Sequence, residues 1–113
     1  MPNPTEAIQT PALIEATTTQ GEIEISSAHF HELIHHSVDA AGSAATTPIY
    51  FAFGAAGGVP PTVVASDAAG SNKLRLASGG RITIKPGVSL IGFKTASGAP
   101  MFSIVPLTRT LNA

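Results

Sequence analysis

Residues 72–107 read NKLRLASGGRITIKPGVSLIGFKTASGAPMFSIVPL, and the period of this stretch decides the fold. Leu74 and Leu76 alternate with Lys73 and Arg75, and Ile82 and Ile84 alternate with Arg81, Thr83 and Lys85. Successive strand side chains point to opposite faces, so a period of two marks a half-buried strand. Pro86-Gly87 makes a turn, TASGAP (95–100) makes another, and VSLIGFK (88–94) and MFSIVPL (101–107) read as further strands. Strands recurring every 8–12 residues with turns between them predict an antiparallel sandwich or barrel.

Working upstream, PIYFAFG (48–54) is β-branched and aromatic and stops at Gly54. AAGGVPP (55–61) then reads as a loop and TVVAS (62–66) as a short strand. GEIEIS (21–26) alternates Ile23 and Ile25 with Glu22 and Glu24. Residues 1–20 are rich in proline and threonine and lack sustained periodicity, which predicts an extended arm with at most a short strand at Ala12–Ala16. The expected organisation is an arm over 1–20 and a small antiparallel β-sandwich domain over 21–113, with room for one short helix.

That helix would lie in SSAHFHELIHHSVDAAG (26–42). Phe30, Leu33, Ile34, Val38 and Ala41 fall at helical spacing, Ser26 or Ser27 is placed to cap the start, and Gly42 follows the end. Read as a strand, the segment puts Phe30, Glu32, Ile34, His36 and Val38 on one face, a less tidy pattern. The local spacing favours the helix, while the strand-rich surroundings favour the strand.

The choice matters because His31-Glu32-x-x-His35 has the spacing of the zinc metallopeptidases. On a helix the two histidines share a face and reach one ion, with the glutamate polarising the zinc-bound water. On a strand they stand about 13 Å apart, at roughly 3.3 Å per residue, and chelate nothing jointly. A third ligand is also required. The positions where metzincins carry glycine and histidine hold Val38 and Ala41, and no glutamate follows Glu32 to complete a thermolysin-like set. With His29 and His36, the segment carries four histidines within residues 29–36. The favoured reading is therefore a structural or interface cluster, with no metal or cofactor and no enzymatic role; the alternative is a zinc site of His31 and His35 with Glu32 as base.

Composition narrows the function further. The chain is 43% apolar but only 12% charged, about half the usual charge, so much of its surface is small and neutral and suits packing against other subunits. With no cysteine it forms neither disulfides nor thiolate metal sites. No apolar run approaches a bilayer span, and MPNPTEAIQT lacks the basic start of a secretion signal, so the expectation is a soluble protein made in the cytosol, with no membrane partner. All seven acids precede residue 68 and all six bases follow residue 72. In an assembly, the acidic half of one copy would face the basic half of its neighbour; within one monomer, the two halves would pair. Bases interrupted by glycine and serine, without aromatic interleaving, do not make a nucleic-acid surface.

From Pro48 to Leu107 the chain resembles small virion proteins of tailed bacteriophages. The resemblance lies in the IYFAFG strand, the variable TVVASDAAGSNKL segment, and the run RLASGGRITIKPGVSLIGFKTASGAPMFSIVPL with its PGVS and Ser-Gly turns. It implies a β-sandwich or jelly-roll module on a phage particle: a capsid decoration (cement) or minor capsid protein, or alternatively a neck, tail or fibre component. The implied partners are the major capsid protein or another virion protein, and the implied oligomer is a trimer on a virion assembled in the host cytoplasm. Candidate contacts are Leu13 and Ile14 of the arm, His29, His31, His35 and His36, and the basic edge of Arg75, Arg81 and Lys85.

Overall fold

The computed structural model describes residues 12–54, 62–63 and 74–107. They form eight strands: β1 (Ala12–Glu15), β2 (Gly21–Glu24), β3 (Phe30–His35), β4 (Ile49–Gly54), β5 (Leu74–Leu76), β6 (Arg81–Ile84), β7 (Leu90–Thr95) and β8 (Met101–Leu107). No helix occurs among the described residues. The strands assemble into two four-stranded antiparallel sheets of order β1-β8-β3-β6 and β2-β7-β4-β5. First strand pairs with last, second with seventh, third with sixth and fourth with fifth. The chain is thus one long antiparallel ribbon, folded at the β4–β5 connection and wrapped until β3 meets β8 and β4 meets β7. This strand order is that of a jelly roll, a form of the antiparallel sandwich that period-two strands separated by turns predicted.

The expected strands at 21–26, 48–54 and 72–107 are β2 and β4 to β8, and the short strand expected near Ala12–Ala16 is β1, paired along its length with β8. The helical reading of 26–42 is corrected: Phe30–His35 is a central strand of the first sheet. The remainder of the strand expected at 62–66, and the first eleven residues, lie outside the described residues.

Between the sheets, Leu33, Ile49, Phe51, Ile91, Phe102 and Ile104 are wholly buried. Phe102 of the first sheet meets Phe51 and Phe93 of the second edge-on, each with ring centroids 5.1 Å apart, the arrangement that sets a positive ring edge against a negative face. Gly21 lies opposite Phe93 in the β2–β7 register. A β-carbon there would stand 2.4 Å from Phe93 Cζ, so the ring covers the glycine, a cross-strand pairing that fills the gap a missing side chain leaves. On the outer face of the second sheet, Tyr50 and Ala52 are covered by Val63, whose N–H donates to Gln20 Oε1 at 2.8 Å.

Candidate functional site

In β3 the side chains of His31, Leu33 and His35 point inward, and those of Phe30, Glu32 and Ile34 point out. His31 and His35 are 0% and 1% exposed, while Glu32 lies on the opposite face of the sheet, 3.5 Å from the guanidinium of Arg81. The strand separates the residues that a zinc peptidase needs on one side. No group of three or more potential metal ligands occurs among the described residues.

His35 is a structural residue. The N–H of Ser37 donates to its Nδ1 at 3.0 Å, so that nitrogen carries no hydrogen and Nε2–H donates to the Thr47 carbonyl at 2.7 Å. Both ring nitrogens are thereby satisfied in a site closed to water. Thr95, wholly buried, donates from Oγ1 to the Pro48 carbonyl at 3.0 Å, and Thr47 Oγ1 donates to the Ser97 carbonyl at 2.9 Å. These bonds fasten the end of β3 to the start of β4 and to the β7–β8 turn.

Just past His35 the chain builds a wall above the outer face of the first sheet. Ser37 adopts φ of 64°, a left-handed conformation that turns the chain outward, and its hydroxyl bonds that of Ser78. A bridge between Val38 and Ala44 closes the loop. Asp39 Oδ1 holds it by accepting the N–H groups of Ala41 and Ser43, both at 2.9 Å, as aspartate side chains do in turns. The loop is tied down by Met101 N–H donating to the Val38 carbonyl at 2.8 Å.

The result is a groove of about 450 Å³ lined by Leu13, His36, Val38, Asp39, Ala40, Met101 and Ser103. At its side stands Leu13, 62% exposed and the one large hydrophobic side chain among the described residues to be so exposed. Inside it, His36 Nε2 and Ser103 Oγ are 2.5 Å apart. A nucleophile and a base in hydrogen-bond reach are two parts of an acyl-transfer site. Asp39 Oδ1 accepts from the loop N–H groups of Ala41 and Ser43 rather than from the imidazole. Beside the groove one cross-strand row of this sheet runs Leu13, Ser103, Ile34, Arg81, and farther along the strands a second pairs Leu107 with Phe30.

The other sequence candidates are scattered around the fold. Ile14 is partly buried and packs against the core, and the buried His31 and His35 offer no surface. His29 is exposed before β3, and His36 is exposed after it, so the four histidines do not form one cluster. Arg75, Arg81 and Lys85 are exposed along β5 and β6. Sequence reasoning missed Val38, Asp39, Ala40, Met101 and Ser103 as groove residues. The signal that was available is Asp39 three positions before Gly42, an aspartate-closed turn.

No protein-family model and no curated protein matches the sequence. Among solved structures the chain is similar to one from Bacillus endospore appendages, described as forming a novel family of disulfide-linked pili. The identity is 16% and the TM-score 0.43, over 91% of this chain and 90% of that one. A likeness at that level carries no functional argument, and the present sequence has no cysteine.

Proposed function

We propose that the protein is a non-enzymatic structural subunit of a tailed-phage particle, of the capsid decoration or minor capsid type, and that it binds its lattice through the outer face of the β1-β8-β3-β6 sheet. The observation that carries this reading is the groove beside exposed Leu13 on a sheet face bearing Ile34, Phe30, Met101 and Leu107. An apolar patch with a polar rim on a small domain is what a protein contact surface requires. Under this reading each copy contributes a modest contact, and many copies on a repeating lattice together stabilise the shell.

Immunogold labelling of particles from the producing host tests the proposal. Label distributed over the head supports a decoration role. Label confined to the neck or tail overturns the capsid assignment, and unlabelled particles overturn the virion role altogether.

A further inference from the structure

The jelly roll converts a charge asymmetry along the sequence into one across the molecule. β1 and β2 are the first edges of their respective sheets, and β6 and β5 are the opposite edges. Residues 16–20 join β1 to β2, and residues 77–80 join β5 to β6. Such short links reach at most roughly 13–18 Å, enough to cross the roughly 10 Å between packed sheets and not the width of a four-stranded sheet as well, so each pair of edges stacks into one flank. Beside the first link, Ala16 N–H donates to the Pro100 carbonyl and Thr95 N–H donates to the Thr17 carbonyl, both at 2.9 Å. The β1–β2 flank carries Glu15, Glu22 and Glu24, all exposed; the β5–β6 flank carries Arg75, Arg81 and Lys85, all exposed.

Charges on edge strands are a common device against edge-to-edge pairing. One sign on each flank does something more selective. Flanks of like sign repel each other, which disfavours two-fold contacts between identical flanks, whereas the acidic flank of one copy attracts the basic flank of the next. Strand direction agrees with this polarity. With four antiparallel strands per sheet, β6 runs opposite to β1 and β5 runs opposite to β2. A neighbour displaced sideways without rotation therefore brings β1 antiparallel to β6, and β2 antiparallel to β5, in both sheets at once.

We infer that the protein binds a second copy of itself head to tail, its β1–β2 flank against the neighbour's β5–β6 flank. Such a heterologous contact closes into a ring if each junction turns and extends into a row if it does not. The inference goes beyond the particle proposal and does not rest on it, since it concerns the purified protein in solution.

Sedimentation velocity of the wild-type protein at about 0.02 M and about 0.5 M salt reads it directly, because exposed charge pairs are screened as the Debye length shrinks. The expected result is association at low salt, at least about tenfold weaker at high salt. The double variants Glu22→Lys/Glu24→Lys and Arg75→Glu/Lys85→Glu should each stay at the 11.4 kDa monomer mass, and an equal mixture of the two should associate again. Single variants Glu24→Lys and Lys85→Glu, checked for folding by circular dichroism, cover the case in which a double variant does not fold. A wild type that stays monomeric at low salt, association indifferent to salt, or reversed variants that associate like the wild type would each overturn the inference. The labelling experiment on particles is unaffected by any of these outcomes.

Discussion

At the scale of single residues, the interior histidine and the glycine under a phenyl ring hold more of the fold than the charged surface does. Replacing His35 with alanine empties a buried site and removes two hydrogen bonds, leaving the partly buried Ser37 N–H and Thr47 carbonyl without these partners. The expected loss is about 2–4 kcal/mol, whereas His36→Ala, at an exposed site, should cost no more than about 0.5 kcal/mol. Chemical denaturation of the two variants side by side checks the contrast, and equal losses would contradict it. Gly21→Ala should cost about 1–3 kcal/mol, because the new methyl meets the Phe93 ring, which itself packs on Phe102. A denaturation midpoint equal to that of the wild type would mean that the ring moves aside freely.

At the scale of elements, β3 shows where the sequence was legible and where it was not. The strands from β4 to β8 announce themselves because their buried faces are apolar and their turns carry glycine or proline. In β3 the buried face is His31, Leu33 and His35, so two of its three inward positions register as polar and the period of two disappears. What remains visible is Phe30, Leu33, Ile34 and Val38, which mimic a helix, and the HExxH spacing follows from that disguise. The register settles the matter: His31 lies opposite Ile84 and Leu33 opposite Ile82, on the face that forms the core. The groove was less legible still, because its wall depends on the left-handed turn at Ser37 and on β1 lying beside β8, neither of which has a periodic signature. A strand keeps the two histidines too far apart for one ion, so added zinc should leave the thermal midpoint unchanged. A ligand at a hundred times its dissociation constant would add about 2.7 kcal/mol, and a rise that vanishes in both His31→Gln and His35→Gln would contradict the account.

At the scale of the whole molecule, the wrapped ribbon gives the described residues a core between two sheets and leaves distinct surfaces outside: a grooved apolar face, an acidic flank and a basic flank. The apolar face is proposed to grip a lattice, and the flanks to meet neighbouring copies. Both roles use contact rather than chemistry, which fits a surface poor in charge and a histidine motif whose members are split between two faces of a sheet. Leu13 tests the central claim with one substitution, since its side chain stands in solvent at the groove and supports nothing in the core. The measurement is the occupancy of the protein on purified particles, determined by electron microscopy for the wild type and for Leu13→Asp. The account predicts that the variant folds with stability within about 0.5 kcal/mol of the wild type and that its occupancy falls at least about tenfold, the equivalent of about 1.4 kcal/mol. Undiminished occupancy of a folded Leu13→Asp protein would contradict it.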